Sequence, residues 1–273
     1  MQKLSNRLKK QGKTIGLVPT MGYLHEGHIS LVRRSVKEND FTVASIFVNP
    51  IQFGPKEDFK KYPRDFKRDE AMLKGAGVDG LFYPTAGEMY PDPYCTYVHV
   101  EHLSDTLCGK SRPGHFKGVA TVIAKLFNIV KPDAAYFGQK DAQQALIIGK
   151  TAKDLNMNLK VKTMPTVREK DGLAMSSRNA YLSATERKEA AVLYRSLLLA
   201  KQMINKGERS AKKIINNMKA LIKQKRAAVI DYVEIVDAAT LKPVKNIRGD
   251  ILIALAVRIG NTRLIDNLKI RVR

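Results

Sequence analysis

The chain has 273 residues, of which 44% are hydrophobic and 27% charged, and 48 basic against 26 acidic side chains give it a formal net charge of +22. This composition is typical of a folded globular protein and excludes an intrinsically disordered one. The apolar runs fall far short of the roughly 20 residues of a membrane-spanning helix, the first residues show no apolar secretion signal, and two cysteines are too few for a disulfide framework or a four-cysteine zinc site. We therefore expect a cytoplasmic protein without membrane contact.

Short apolar runs alternate with amphipathic stretches through the first two-thirds of the chain. The pattern predicts strands at 15–18, 41–48, 134–137 and 159–164, and helices at about 27–37, 116–130 and 141–156. Strands that alternate with helices form βαβ units, which build a parallel sheet covered by helices on both faces. The sequence therefore predicts an α/β fold for this part of the chain.

The pattern changes after about Ser176. Residues 183–186 (SATE) have the form of a capping box, which begins a long helix that we expect to end at Gly207. A second helix follows, and then strands at 230–237 and 251–259. We therefore expect two domains, a larger one over residues 1–176 and a smaller one over residues 177–273.

The densest basic stretch, residues 201–226, carries apolar residues at helical spacing between its lysines and arginines. This spacing predicts an amphipathic helix with an exposed basic face. A positive surface also suits nucleic acid, but the stretch lacks the interleaved aromatic residues on which bases stack. We therefore favour a solvated surface and expect no specific nucleic-acid partner.

The ordinary phosphate-binding fingerprints are absent, because no complete Walker A loop and no G-x-G-x-x-G after a strand occurs. Instead, the predicted first strand runs into a glycine-containing turn and then into His25 and His28 at the start of a helix. A spacing of three residues places both imidazoles on one helix face. The positive end of the helix and two ring donors favour an anion, and they would stabilise the charge that grows when a phosphorus atom is attacked. The alternatives are an ordinary helix surface and a metal pair, although zinc would require further ligands.

Three other loops carry polar groups where predicted strands end. Residues 138–144 (GQKDAQQ) offer Lys140 to a phosphate, and they offer Asp141 to a ribose or as a helix cap. Residues 175–179 (MSSRN) combine two hydroxyls with a guanidinium, which suits a polyphosphate but also an N-capped turn. Residues 47–53 (FVNPIQF) offer amides to a hydroxylated carboxylic acid, and Arg112 is either a cationic contact or part of a helix lead-in.

These motifs occur in one order along nearly the whole chain. They are residues 18–28 (VPTMGYLHEGH), 47–53 (FVNPIQF), 112–116 (RPGHF), 137–141 (FGQKD), 167–169 (VRE), 175–179 (MSSRN), 256–258 (AVR) and 262–267 (TRLIDN). Together they resemble the pantoate–β-alanine ligase family. The H-x-G-H element alone is shared by many nucleotidyltransferases and class I aminoacyl-tRNA synthetases, whereas the Pro-Thr-Met-Gly lead-in with the glutamine loops is far more specific.

The resemblance implies a Rossmann-like doubly wound N-terminal domain that binds nucleotide and pantoate, and a smaller α/β C-terminal domain that closes over it. It implies ATP with Mg²⁺ and a homodimer. In the implied reaction, the carboxylate of pantoate attacks the α-phosphate of ATP, and the amine of β-alanine then converts the pantoyl adenylate to pantothenate and AMP. The family usually has one more short strand before the first helix, so we expect the edge strand here to be either missing or differently started.

The resemblance also assigns roles to individual residues. The residues it implies for ATP binding are Met21, Gly22, Tyr23, Leu24, His25, Glu26, Gly27, His28, Gly138, Gln139, Lys140, Asp141, Val167, Met175, Ser176, Ser177 and Arg178, and those for pantoate and β-alanine are Asn49, Gln52, Arg112 and Gln144. Of these, His25, His28 and Lys140 are the implied catalytic residues, and no protein metal ligand is assigned.

Two other functions are compatible with parts of the sequence. Another H-x-G-H nucleotidyltransferase would release a nucleotidylated product rather than AMP, and it would not need the pair of amides at Gln52 and Gln144. An RNA-binding module with a synthetase-like fold would bind RNA with a steep dependence on salt and would ligate nothing.

Overall fold

The computed structural model describes residues 1–55 and 57–272, which form ten helices and eight strands. In chain order the elements are α1 (Gln2–Lys10), β1 (Ile15–Thr20), α2 (Glu26–Glu38), β2 (Phe41–Ile46), α3 (Phe66–Gly75), β3 (Gly80–Phe82), α4 (Ala86–Met89), α5 (Cys108–Ser111), α6 (His115–Val130), β4 (Ala134–Gly138), α7 (Ala142–Asp154), β5 (Lys160–Met164), α8 (Ala184–Ala190), α9 (Val192–Asn205), α10 (Ala211–Lys223), β6 (Ala228–Asp237), β7 (Gly249–Ile259) and β8 (Thr262–Val272). Short 3₁₀ turns lie at Pro50–Gln52, Gln139–Asp141 and Ser177–Tyr181.

The first five strands form one parallel sheet in the order β3-β2-β1-β4-β5. The central strand β1 is apolar because it is covered on both faces, and its residues Ile15, Leu17 and Val18 have no exposed surface. From β1 the chain moves outward through β2 and β3, and it then returns to the other side of β1 with β4 and β5. This is the doubly wound arrangement, so the predicted α/β fold is confirmed.

The chain divides into two compact units. The first unit contains Met1–Ser104, Arg112–Gln139 and Gln143–Pro165, and the second contains Asp105–Ser111, Lys140–Ala142 and the chain from Thr166 onward. The predicted boundary between residues 176 and 177 rests on the change of sequence pattern, and it stays a prediction.

The second unit is built on the antiparallel sheet β6-β7-β8. Its core consists of the apolar sides of α8, α9 and α10 together with alternate residues of β7, such as Ile251, Ile253 and Leu255. Helix α10 buries Ile214 and Met218 and exposes lysines such as Lys212. The predicted amphipathic helix and the smaller α/β domain class are therefore confirmed.

Several elements differ from the sequence prediction, and three of the differences bear on the packing. The expected single helix from 184 to 207 is interrupted at Ala191, between α8 and α9. Helix α3 has no strong apolar stripe, and its start depends on the Asp65 side chain, which accepts from the N–H of Arg68. Strand β8 buries Asp266 at a core-facing position, where an apolar pattern would have predicted a hydrophobic residue.

Helix α1 begins at Gln2, and the expectation about the edge strand stays a prediction. Among the helices that the structure describes, none is both long and apolar enough to cross a membrane.

Candidate active site

The predicted nucleotide motifs of the first unit lie at the switch point of its sheet. The H-x-G-H turn follows β1, while Gly138 ends β4, the neighbour of β1 on the other side, and Gln139 follows it. Parallel strands end at the same edge, and the strand order reverses between β1 and β4. This is the place where open α/β sheets bind ligands.

The two histidines form the first turn of α2. His25 is its N-cap residue, and His28 lies three positions further on, with 4.1 Å between the ring centroids. Nδ1 of His25 accepts from the N–H of Gly27 at 3.1 Å, and Nδ1 of His28 accepts from the N–H of His25 at 3.3 Å. This reciprocal pattern is a capping box built from imidazoles rather than from hydroxyl and carboxylate groups.

The capping bonds define the tautomer of both rings. A nitrogen that accepts a hydrogen bond carries no proton, so each neutral ring carries its proton on Nε2. Both Nε2–H groups are therefore donors. The backbone N–H of Gly27 is used inside the turn, so the expected anion site consists of ring donors and the helix dipole rather than of open backbone donors at this position.

A buried carboxylate holds the turn that leads to the histidines. Asp69 of α3 is 1% exposed, and its two oxygens accept from the N–H groups of Tyr23 at 2.6 Å and Leu24 at 2.7 Å. Burial raises the pKa of Asp69, while these two backbone hydrogen bonds and Arg68 act in the opposite direction. Gly22 has a φ of +83°, and a Cβ on it would lie 3.1 Å from the Asp69 carboxylate, so both backbone conformation and space favour glycine there.

The same turn uses two residues that were predicted to bind ATP. Leu24 is fully buried, and its carbonyl accepts from Arg68 at 2.8 Å, while Glu26 forms an ion pair with Arg33. Both therefore have structural partners. Their contact with ATP stays a prediction.

Two of the predicted amides, Asn49 and Gln52, lie at the 3₁₀ turn after β2, and we call this pair the amide pocket. Asn49 is 1% exposed and Gln52 is 8% exposed. Asn49 Nδ2 donates to Gln52 Oε1 at 3.0 Å and to the Gly118 carbonyl at 3.1 Å, and Gln52 Nε2 lies 3.0 Å from Sδ of Met21. The structure thus brings together Met21, Asn49 and Gln52 from three of the predicted positions.

Gly118 of α6 makes room for this turn. A Cβ at position 118 would lie 2.4 Å from the Ile51 carbonyl oxygen and 2.7 Å from the Gln52 Cα, closer than real Cβ atoms come to backbone. The helix and the amide turn can approach each other only because residue 118 has no side chain.

The backbone of Gln52 is held by a charged cluster. Arg112 donates to both oxygens of Glu57 at 2.6 Å, and its NH1 lies 2.9 Å from Nε2 of His115. Nδ1 of His115 in turn lies 2.8 Å from the Gln52 carbonyl oxygen. Burial alone would raise the pKa of Glu57, but its hydrogen bonds to Arg112 and the charge of Arg112 outweigh that effect and lower the pKa to about 2.

The end of β4 leaves open space. A Cβ at Gly138 would meet no atom within 4 Å, and its φ is not in the left-handed region, so neither packing nor conformation requires glycine. Gln144 lies half-buried on α7, and its side chain has no hydrogen-bond partner among the described residues. Both features suit positions that a ligand approaches.

The first unit also contains a cavity of about 280 Å³. It lies where β1, β2 and β3 end, and its walls include Met21, Phe47, Arg64, Asp69 and Tyr83. Met21 therefore lines this cavity and also contacts Gln52 of the amide pocket.

The remaining predicted residues belong to the second unit. The backbone pairs Met175 with Val167 through an N–H···O bond of 3.0 Å. Ser176 caps the following 3₁₀ turn by accepting from the N–H of Arg178, which is the structural alternative for this motif, and Ser177 is buried at 7% exposure. The ATP contacts of this segment stay a prediction.

A buried ion pair fixes the surroundings of Lys140. Arg168 donates to Asp266 at 2.6 Å and 3.0 Å and lies over the Tyr194 ring at 4.0 Å. Asn267, the next residue on β8, donates to the Lys140 carbonyl at 2.8 Å. The Lys140 ammonium lies 3.7 Å from Asp141. Within this unit, the motifs at 167–169 and 262–267 thus contact each other, and they hold the Lys140 backbone and the 167–175 segment in place.

The whole chain matches one known family. The family model described as pantoate-beta-alanine ligase covers residues 1–269. This chain belongs to the pantoate–β-alanine ligase family.

Individual relatives agree with this membership. The pantothenate synthetase of Caldicellulosiruptor saccharolyticus is 58% identical over 272 residues, which cover 100% of this chain and 97% of the relative. The crystal structure of pantothenate synthetase from Thermus thermophilus is 47% identical and has a TM-score of 0.92, with 97% of this chain and 96% of that chain covered. The crystal structure of the Francisella tularensis ligase complexed with beta-gamma ATP and β-alanine is 36% identical, with a TM-score of 0.79 and coverage of 98% and 93%.

Within this ligase, sequence reasoning missed the residues that support the predicted site. Asp69, Glu57, Tyr90 and Gly118 belong to no recognisable motif, and each contacts its partner across a long stretch of chain. Only Glu57 gave a signal, since it is an acidic residue in a loop of a strongly basic ligase. That signal does not identify Arg112 as its partner.

Proposed function

We propose that this ligase joins pantoate to β-alanine at the expense of ATP and releases pantothenate, AMP and pyrophosphate, with pantoyl adenylate as the intermediate. The family match over residues 1–269 carries this proposal. The Francisella relative is complexed with beta-gamma ATP and β-alanine, which supports ATP and β-alanine as two of the three substrates.

In the first step, a carboxylate oxygen of pantoate attacks the α-phosphorus of ATP. A bond forms between that oxygen and phosphorus, and the bond to the oxygen that bridges to the β-phosphorus breaks, so pyrophosphate leaves. His25 and His28 donate from Nε2 to phosphate oxygens whose charge grows during the attack. Preorganised donors of this kind act most strongly in the transition state. Lys140 adds a positive charge toward the same phosphates.

Pantoate is held by amides. Gln52 and Gln144 donate from their N–H groups to its hydroxyl and carboxylate oxygens, with Asn49 holding the Gln52 side chain. Arg112 supplies positive charge toward the substrates, and its hydrogen bond at 3.4 Å to the Gln52 carbonyl connects it to this pocket.

In the second step, the amine of β-alanine attacks the acyl carbon of the adenylate. A carbon–nitrogen bond forms, the carbon–oxygen bond to the phosphate breaks, AMP leaves with that oxygen, and the neutral amine loses one proton to solvent and keeps the other as the amide N–H. Gln52 also contacts β-alanine in this step.

The residues proposed to contact the nucleotide come from four segments of the chain. They are the turn from Met21 to His28, the segment from Gly138 to Asp141, Val167 by the adenine, and the segment from Met175 to Arg178.

ATP enters as its Mg²⁺ complex. Among the described residues there is no group of three or more His, Cys, Asp or Glu side chains placed to hold a metal ion. Mg²⁺ does not need such a group of side chains, because it commonly keeps several waters and binds through substrate phosphates with few protein ligands. When bound, it neutralises phosphate charge, and no protein ligand is assigned to it.

We further propose that the ligase works in the cytoplasm as a homodimer, without a membrane or nucleic-acid partner. The family resemblance supports the dimer. Light scattering of the purified protein tests it, since a monomer at working concentration contradicts the assignment.

The function is tested by product formation. The purified protein is incubated with ATP and Mg²⁺, with pantoate and β-alanine added separately and together, and AMP and pantothenate are measured. We expect both products to accumulate only when both acids are present. A nucleotidylated product in place of AMP would assign the protein to nucleotidyl transfer, and no reaction in any combination would refute the ligase.

A further inference from the structure

A chain of hydrogen bonds runs from Tyr90 to the amide of Gln52. The Tyr90 hydroxyl lies 2.8 Å from Oδ1 of Asn49, and Nδ2 of Asn49 lies 3.0 Å from Oε1 of Gln52. The last member, Nε2 of Gln52, lies 3.0 Å from Sδ of Met21. Tyr90 follows α4, and along the chain it lies far from every motif that the sequence analysis singled out.

The direction of this chain is fixed by its chemistry. The Gly118 carbonyl, 3.1 Å from Asn49, can only accept, so the nitrogen of the Asn49 amide faces it. The oxygen of Asn49 therefore faces Tyr90, and the hydroxyl must donate. The same nitrogen of Asn49 donates to Gln52, so the oxygen of Gln52 is occupied and its N–H groups are turned away from Asn49.

We propose that Tyr90 is a positioning residue that acts through Asn49 to hold the Gln52 amide with its N–H groups presented to an oxygen of pantoate. The proposal rests on the proposed function, because it takes Gln52 as a pantoate ligand. The Met21 sulfur is a weak acceptor, so little free energy is lost when a substrate oxygen takes its place as the acceptor.

Burial makes this chain sensitive to the loss of one member. Asn49 is 1% exposed, so an Asn49 oxygen that loses the Tyr90 donor has no access to water as a substitute. Burial also raises the pKa of Tyr90, so the hydroxyl keeps its proton and stays a donor at any working pH.

The test removes only the hydroxyl. Tyr90→Phe keeps the ring and its edge contact with Tyr94, whose centroid is 4.9 Å away. We expect the KM for pantoate to rise about tenfold, the size of one lost buried hydrogen bond, with the KM for ATP changed less than about twofold. Tyr94→Phe is the matched control, since the Tyr94 hydroxyl makes no hydrogen bond within the described residues, and it should leave both constants unchanged.

A double-mutant cycle separates positioning from a general loss of stability. In the Gln52→Ala background, Tyr90→Phe should raise the KM for pantoate no further, because the group that it positions is gone. An additive effect, an equal rise in the KM for ATP, or an unchanged KM for pantoate in the single variant would each overturn the proposal. If Gln52→Ala itself leaves the KM for pantoate unchanged while ligation proceeds, then Gln52 is not a pantoate ligand, and the role of Tyr90 falls while the ligase function stands.

If Tyr90→Phe does not fold, Asn49→Asp takes its place. This substitution keeps the size of the side chain but replaces the nitrogen that donates to Gln52 with an oxygen. The Gln52 amide must then turn its N–H groups toward residue 49, so the KM for pantoate should rise by at least as much. An unchanged KM would overturn the proposal.

Discussion

Hydrogen bonds from backbone N–H groups set the tautomer of the two imidazoles in the first turn of α2. Ordinary surface histidines lack such bonds. Each Nδ1 accepts a backbone N–H, and each Nε2 is left as the donor. His28→Ala removes one of these preorganised donors, so we expect the rate of pantoyl adenylate formation to fall by about 10²–10³. The rate of pyrophosphate release measures it. His99→Ala, at an exposed histidine, is the control and should release pyrophosphate at the unaltered rate.

A His28→Ala variant that is folded by circular dichroism and still releases pyrophosphate at the unaltered rate would remove this histidine from the mechanism.

The Glu57 carboxylate gives the ligase a specific acid sensitivity. Its pKa is about 2 in the folded chain, against a usual value of 4.5, because Arg112 stabilises the charged form against the effect of burial. The pair therefore contributes its full stability above about pH 4.5, and this contribution is lost as the pH falls toward 2. We expect Glu57→Gln to be less stable than the unaltered protein at pH 5, and the difference in unfolding free energy to shrink as the pH approaches 2.

Urea unfolding at several pH values measures this difference. Glu70→Gln removes an exposed carboxylate of α3 that has no ion pair among the described residues, so its effect should stay small at every pH. A Glu57→Gln difference that stays constant between pH 5 and pH 2.5 would contradict the assigned pKa.

At the scale of elements, the contact between α6 and the amide turn depends on one glycine. In Gly118→Ala, the new Cβ would overlap the backbone of Ile51 and Gln52. We expect a loss of about 1–3 kcal/mol in stability from overpacking, together with a raised KM for pantoate because Gln52 is displaced. Thermal unfolding and steady-state kinetics measure the two effects.

The matched control is Gly149→Ala in α7. A Cβ there meets no atom within 4 Å, so alanine should raise stability by up to about 1 kcal/mol through its higher helix propensity. Equal effects of the two substitutions would show that helix propensity, rather than the approach of the turn, decides the outcome at residue 118.

Elements with a local signal could be predicted from the sequence, and contacts between distant segments could not. The apolar runs of β1 and β2 and the capping box that begins at Ser183 act over a few residues, and the structure confirms them. Strand β8 was missed because its buried Asp266 is explained only by Arg168, 98 residues away in the chain. Patterns within one segment do not contain that information.

The same division holds for the candidate site. Residues in recognisable motifs, such as His25 and Gln52, could be named from the sequence, and the roles that the family resemblance implies for them stay predictions. Their supports could not, because Asp69 lies 45 residues from Leu24, Tyr90 lies 41 from Asn49, and Arg112 lies 55 from Glu57. Each support is an ordinary polar residue until the fold provides its partner.

At the scale of the whole molecule, the structure accounts for part of the excess positive charge of +22. The basic face of α10 is exposed, while its apolar face joins the core of the second unit. This agrees with the solvated basic face expected from the sequence, and the expectation of no specific nucleic-acid partner stays a prediction.

In the proposed reaction the carboxylate of pantoate becomes an adenylate, and the transfer of an oxygen isotope from pantoate to AMP tests this step. The enzyme is incubated with ATP, β-alanine and pantoate that carries ¹⁸O in both carboxylate oxygens. The masses of the products are then measured by mass spectrometry. Because the carbon–oxygen bond breaks in the second step, AMP should carry a single ¹⁸O and pantothenate should keep the other in its amide carbonyl. Unlabelled AMP, or label in inorganic phosphate, would contradict the adenylate route.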